Sequence, residues 1–117
     1  MKGMTTTPTP EQLATIYFDA WQSGDADRLR SIFAESVTFR GPLGERDGRE
    51  PCVEGLLGMR QLMTGLSVDK MLADEHEVMT WYDLQTEQGD LPTVNWSHVE
   101  NGLITAIRAT FDPRALV

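Results

Sequence analysis

The side chains best suited to chemistry lie on one strand-like segment, residues 77–86, which contains a carboxylic acid close to aromatic and thioether side chains. A period of two places Met79, Trp81, Asp83 and Gln85 on one face of such a strand. Among aromatic and thioether groups the pKa of a carboxylic acid rises, because desolvation disfavours the anion. On such a face Asp83 would serve as a general acid or base near neutral pH.

The alternate positions of this segment also include apolar residues. They are Val78, Thr80, Tyr82 and Leu84. Both faces are therefore expected to be covered, one by helices and one by a second subunit. Periodicity alone does not decide which set faces the helices. If Asp83 instead lies near a sheet edge, solvated or paired with Arg40 or Arg108, it is a surface carboxylate.

The other reactive residue types form no recognisable centre. Cys52 is the only cysteine and falls in an apolar helical pattern, which predicts a buried, inert thiol. His76 falls in a charged turn, and His98 alternates with Trp96 where a subunit contact is expected. No metal-ligand spacing, Ser-His-Asp arrangement, phosphate loop or dinucleotide fingerprint is present. We therefore predict no metal and no cofactor.

Composition limits the classes of partner. The chain has 117 residues, 40% of them hydrophobic, which suits one globular domain. Ten basic against eighteen acidic residues give a net charge of −8, which disfavours nucleic acid and anionic membranes as partners. No apolar run approaches the ~20 residues that span a bilayer, and the N-terminus has no apolar signal region. A cytoplasmic protein is expected.

The pattern of elements is α+β, with helices first and hairpin-linked strands after them. A mobile tail over residues 1–8 precedes a helix capped by Thr9 and Gln12, and Asp25 caps a second helix that runs through Phe33. A third helix spans about 50–64. Strands are predicted at 37–39, 68–73, 77–86, 91–99 and 103–111, with turns at 44–48, 74–76, 88–90 and 101–102.

Two segments carry a resemblance to a known family. They are the stretch from Gly24 to Gly48, broken at Gly41-Pro42, and residues 101–112. Together they resemble the nuclear-transport-factor-two-like superfamily, and within it the SnoaL-like proteins, over roughly residues 10–114. The resemblance implies a single SnoaL-like domain over residues 9–117. Its curved, mostly antiparallel sheet of five or six strands and three N-terminal helices would enclose a cone-shaped pocket.

The same resemblance implies a homodimer formed through the outer face of the sheet. Tyr82, Trp96 and His98 are expected on that face. A twofold dimer of this kind uses the same surface patch on both subunits.

Ketosteroid isomerases of this superfamily offer one comparison of site residues. Tyr17 matches their first-helix oxyanion-hole tyrosine, and Asn95 falls near their second oxyanion donor. Their general-base aspartate falls on Gly41. Without the base such an enzyme loses ~10²–10⁴ in rate, so this activity is rejected.

Limonene epoxide hydrolases offer another comparison. Asp83 matches one aspartate of their Asp-Arg-Asp set. Trp81 and Ala109 stand at the other two positions, so that catalytic set is not retained either.

The resemblance therefore turns Asp83 toward the pocket, as the acid–base group, with Tyr17 and Asn95 as hydrogen-bond donors. The other residues expected to contact a ligand are Trp21, Phe39, Met63, Met79, Trp81, Gln85, Ser97, Ile107 and Phe111. In a purely structural interpretation, Tyr17 belongs to the core and Asn95 satisfies backbone groups. Arg40 and Arg46 either gate the pocket mouth or are exposed loop charges.

Two function classes stay open for a small hydrophobic molecule bound in the pocket. One is an isomerase, hydrolase or polyketide-type cyclase that uses Asp83. The other is a non-catalytic protein that binds or sequesters the molecule. A second ionisable group facing Asp83 would favour the enzyme, and the sequence supplies none.

Overall fold

A computed structural model of the protein describes residues 7–116 and shows three helices and a six-stranded, open sheet. The elements in chain order are α1 (Pro10–Ser23), α2 (Ala26–Ile32), β1 (Phe33–Gly41), β2 (Gly44–Asp47), α3 (Arg49–Arg60), β3 (Met63–Ala73), β4 (Glu77–Thr86), β5 (Gly89–Glu100), β6 (Leu103–Thr110) and a short 3₁₀ turn (Pro113–Ala115). This confirms the α+β prediction. Residues 1–6 of the predicted tail lie outside the described residues.

The first two helices begin where their caps predict. Thr9 accepts a hydrogen bond from the Gln12 backbone at 3.1 Å, and the Gln12 side chain accepts one from the Thr9 backbone at 2.9 Å. Asp25 caps α2 through the Arg28 backbone at 3.0 Å. α2 ends one residue before its predicted end, because Phe33 is already extended and pairs with β6.

The strand order is β2-β1-β6-β5-β4-β3. β1 runs parallel to β6, and every other neighbouring pair in the sheet is antiparallel. β2 is an edge strand that pairs only with β1, so the β1–β2 hairpin projects from one side of the sheet.

The largest boundary error lies between α3 and β3. The sequence predicts helix to about Thr64 and a strand from Val68, whereas α3 ends at Arg60 and β3 begins at Met63. β3 pairs along almost the whole of β4, from Met63 opposite Thr86 to Ala73 opposite Val78. Tertiary pairing has therefore overridden the helical spacing of the methionines.

In residues 7–116 the helices cover one face of the sheet and leave the other without a helix. On β4 the covered face carries Val78, Thr80, Tyr82 and Leu84, which are buried, whereas Trp81 is 49% exposed on the other face. The inward orientation expected for Asp83 and its set is therefore wrong.

The register of β4 and β5 determines which β4 residues lie on the covered face. Thr86 pairs with Gly89, which leaves a two-residue loop where a turn at 88–90 is predicted. Directly opposite residues of an antiparallel pair lie on the same face, so the even-numbered residues of β4 share a face with Asn95. Thr80 is the residue opposite Asn95.

No helix in the described part of the chain is long and apolar enough to cross a membrane.

Candidate functional site

A cavity of about 290 Å³ lies between the helices and the covered face of the sheet. Its apolar lining includes Trp21 of α1, Phe39 of β1, Leu56 and Met59 of α3, and Phe111. The volume is near the lower end of the roughly 300–1,000 Å³ usual for small-molecule sites. A compact, mostly apolar molecule is what such a space accommodates.

α1 and α3 are fixed to each other at this cavity. The indole Nε1 of Trp21 donates a buried hydrogen bond of 2.8 Å to the carbonyl oxygen of Leu56. The Trp21 ring also packs edge-on against Tyr17 and Tyr82, with centroid distances of 5.9 and 6.3 Å. The indole therefore contributes a rigid part of the cavity wall.

Two buried tyrosines supply polar groups to the lining. Asn95 Nδ2 donates to the Tyr17 hydroxyl oxygen at 3.4 Å, and Ser97 Oγ donates to Asn95 Oδ1 at 3.3 Å. Because the Tyr17 oxygen accepts from Asn95, its own O–H remains available to donate. Tyr17 and Tyr82 both line the cavity, and Asn95 is buried beside them.

Burial keeps these groups neutral. It raises the pKa of Tyr17 well above the ordinary 10.0, an effect that Tyr82 increases and the hydrogen bond from Asn95 opposes. The pKa of Tyr82 rises for the same reason. Burial also raises the pKa of the Cys52 thiol from 9.0 to about 11. At neutral pH these three lining residues are therefore protonated.

Asp83, the predicted acid–base residue, lies on the opposite face of the sheet and does not line this cavity. It stands opposite Ser67 on β3 and Pro92 on β5, half-buried. The prediction that Asp83 turns toward the pocket is therefore wrong. Tyr17 and Asn95 do meet on the covered face, although their catalytic roles stay predictions.

The predicted ligand contacts divide into three groups. Three line the cavity: Trp21, Phe39 and Phe111. Three belong to the core or its edge but are not in the lining: Met63, Ser97 and Ile107. Three lie on the outer face, so their placement in the pocket is wrong: Met79, Trp81 and Gln85.

Sequence reasoning missed several lining residues. Tyr82 was expected on the outer face, and it lines the cavity for the same register reason that removes Asp83. The α3 residues Leu56 and Met59 also line the cavity, and the exposed Leu43 and Leu62 flank its opening. The hairpin parity of β4 and β5 was the signal that could have found Tyr82.

The remaining reactive residues are dispersed. Cys52 is buried and lines the cavity, while His98 lies half-exposed on the outer face, stacked on Trp96 at 6.1 Å and 3.3 Å from both Glu77 and Glu100. Within residues 7–116, no group of three His, Cys, Asp or Glu side chains could hold a metal ion.

With this geometry in place, comparison with known proteins identifies the family. The SnoaL-like domain model matches residues 14–107. The chain belongs to the SnoaL-like domain family. No curated protein sequence matches it.

Solved structures share the fold of this SnoaL-like protein. An NTF2-like protein of unknown function from Cytophaga hutchinsonii is 27% identical, with a TM-score of 0.84 over 97% of this chain and 98% of that one. A ketosteroid isomerase-like protein from Kribbella flavida is 22% identical, with a TM-score of 0.73 over 90% and 84%. A limonene-epoxide-hydrolase-like (LEH-like) epoxide hydrolase from M. tuberculosis is 17% identical, with a TM-score of 0.71 over 89% and 83%. At these two identities the likeness is one of fold, which hosts several activities.

Proposed function

We propose that this SnoaL-like protein binds a small, mostly apolar molecule carrying one hydrogen-bond acceptor, such as a ketone oxygen. The observation that carries the proposal is the Tyr17 hydroxyl. Tyr17 is part of the lining of an otherwise largely apolar cavity, and its hydroxyl oxygen accepts from Asn95, which leaves the hydroxyl proton to be donated to a ligand. A buried donor of this kind discriminates strongly for a matching acceptor, because an unpaired polar group costs free energy.

The neutral donors favour binding over acid–base catalysis. The tyrosine and cysteine groups of the lining stay protonated at neutral pH, since burial raises the pKa of each. Asp83, the acid on which the catalytic interpretation depended, lies on the far side of the sheet. A non-catalytic binding or sequestering role therefore agrees best with the arrangement.

Octan-2-one is a suitable probe, because it combines a ketone with an apolar chain. Calorimetric titration should detect binding to the wild-type protein. Tyr17→Phe should weaken it about threefold to tenfold, as expected for the loss of one hydrogen bond.

Trp81→Phe on the outer face should leave the affinity unchanged. Ala109→Leu, which fills part of the cavity, should weaken binding with the fold intact by circular dichroism. Absence of binding by octan-2-one, or equal affinity in all variants, would contradict the proposal.

We also propose that two copies associate through the outer sheet face. Met79 pairs with Trp96 and Trp81 with Val94 across β4 and β5, which gathers four apolar side chains on one surface. Met79 is 48% and Trp81 49% exposed in the single chain. A contiguous apolar patch of this kind is typical of an interaction surface.

Light scattering coupled to size exclusion tests this association. Wild-type protein should elute as a dimer at micromolar concentration, and Trp81→Glu should convert it to a monomer. Gln22→Glu, which adds the same charge on the exposed side of α1, should remain dimeric. A wild-type monomer would refute the dimer and leave the cavity proposal untouched.

A further inference from the structure

An exposed arginine, Arg46, lies at the rim of the cavity. Arg46 of β2 stands opposite Phe39 of β1, so both side chains lie on the face that lines the cavity. In the described range 7–116, Arg46 forms no ion pair. Its guanidinium is therefore available to an anion from outside the chain.

The ion pairs of a neighbouring arginine, Arg40, explain why the carboxylates of β2 do not pair with Arg46. Arg40 pairs with Asp47 at 2.9 Å and with Glu45 at 3.7 Å. Those two acids precede and follow Arg46 along β2, and strand alternation turns them to the other face. Both β2 carboxylates are thus committed to Arg40, away from the cavity.

The position of Arg46 is set by α3. A Cβ at Gly55 would stand 3.4 Å from Cγ of Arg46 and 3.5 Å from its Nε, so the arginine stem lies along the helix at the rim. Glu54, the residue before Gly55, also lines this rim and is exposed. The negative charge of Glu54 repels an anionic ligand, whereas the positive charge of Arg46 attracts it.

We infer that the cavity takes an amphipathic monocarboxylate, a keto acid with an apolar middle, whose carboxylate lies against Arg46. This inference rests on the proposed function, because the ketone of the same molecule is the group that reaches Tyr17. The apolar walls accommodate the middle of the molecule. Guanidinium and carboxylate form charge-assisted hydrogen bonds, frequently bidentate, which gives the rim its selectivity.

The test compares two probes that differ only at one end. Octan-2-one and 7-oxooctanoate share the methyl ketone and five methylenes, and the terminal methyl of the first is a carboxylate in the second. Calorimetry at pH 7 and low salt should show 7-oxooctanoate binding on the order of tenfold more tightly. Arg46→Gln should remove this advantage and leave the affinity for octan-2-one unchanged. Glu54→Gln should strengthen the binding of 7-oxooctanoate about twofold to threefold.

Two controls separate the rim from general charge effects. Arg28→Gln makes the same charge change on the exposed side of α2 and should leave both affinities as in the wild type. Raising the salt concentration should weaken 7-oxooctanoate but not octan-2-one, because screening acts on the ion pair alone.

The outcomes distinguish the two proposals. If octan-2-one binds and 7-oxooctanoate binds no better, or if Arg46→Gln and Arg28→Gln behave alike, the carboxylate inference is wrong and the cavity proposal stands. If octan-2-one does not bind, the proposed function itself fails. Loss of octan-2-one binding in Arg46→Gln would also overturn the inference, because the arginine would then support the cavity rather than the anion.

Discussion

The two faces of the sheet differ more than the alternation of their residues suggests. Tyr82 and Leu84 are buried under the helices, and Trp81, directly beside Tyr82 in the sequence, is half-exposed on the other face. Both sets contain aromatic residues, so hydrophobicity does not distinguish them. The two faces differ in their polar side chains. The covered face holds the network of Ser97, Asn95 and Tyr17, and the outer face holds charged side chains beside its apolar patch.

The comparison teaches that a family resemblance can give the right fold and the wrong face. The resemblance to the epoxide hydrolases led to the expectation that Asp83 faces the pocket, yet the register of β4 places it away from the cavity. A shift of one residue in register is enough to reverse the faces, because a strand has only two of them.

The largest expected effect contrasts two adjacent residues of β4. Leu84→Ala should lower the free energy of unfolding by about 2–5 kcal/mol, because it removes a buried side chain. Asp83→Ala should change it by less than about 0.5 kcal/mol. Urea unfolding followed by circular dichroism measures both. Similar values for the two variants would mean that the assignment of faces is wrong.

Alkaline pH should destabilise the protein through the covered face. The unfolded state loses its Cys52 and tyrosine protons at their ordinary pKa values of 9.0 and 10.0, before the folded state does. The unfolded state then binds fewer protons, so stability falls as pH rises from about 9 upward, by at most ~1.4 kcal/mol per pH unit for each group. Urea midpoints between pH 8 and 11 provide the measurement.

Variants assign this pH dependence to residues. Cys52→Ala should move the onset from near pH 9 to near pH 10, and Tyr17→Phe should reduce the slope above pH 10. An alkaline profile that neither variant alters would contradict the burial of these groups.

An exposed carboxylate affects stability at acid pH instead. Backbone hydrogen bonds from His76 and Glu77 lower the pKa of Asp74 in the folded protein. The contribution of Asp74 to stability is therefore present above pH 3.8 and lost as the pH falls.

Loss of the buried amide should have a smaller effect. Asn95→Ala removes the donor to Tyr17 and the acceptor of Ser97, so unfolding should become easier by about 1–3 kcal/mol. His98→Ala, on the outer face of the same strand, should cost less than about 1 kcal/mol, because its carboxylate partners are partly exposed. Equal losses would argue against a special role for the covered network.

The smallest expected effect is no change. Asp83→Asn should leave the affinity for octan-2-one and its pH dependence as in the wild type, since Asp83 is on the far face. Calorimetry at pH 5 and pH 8 checks this. A pH-dependent loss of affinity in the variant would return Asp83 to the site.

Much of the fold could be predicted from local signals. The Thr9 capping box and Asp25 fix where α1 and α2 begin, and Gly24 and Asn101-Gly102 take up the positive φ angles at their turns. These are short-range constraints of backbone and side chain, so they can be recognised in the sequence. The end of α3 could not, because β3 is extended by its pairing with β4.

The site was only partly predictable. Tyr17, Trp21 and Phe111 line the cavity, and their roles in binding stay predictions. Tyr82 also lines it, whereas Asp83 lies on the other face of the sheet. The sequence shows Arg46 as a charge near the Gly41-Pro42 break. That Asp47 forms its ion pair with Arg40, and not with Arg46, is seen only in the structure. Such pairing is a property of two strands in register.

The sequence by itself determined the α+β class, the order of the elements, the caps and the turns, because each depends on neighbours along the chain. Only the tertiary structure decided which face of β4 meets the helices and which charge at the rim lacks a partner. Both depend on strand register, and register is set where distant segments meet.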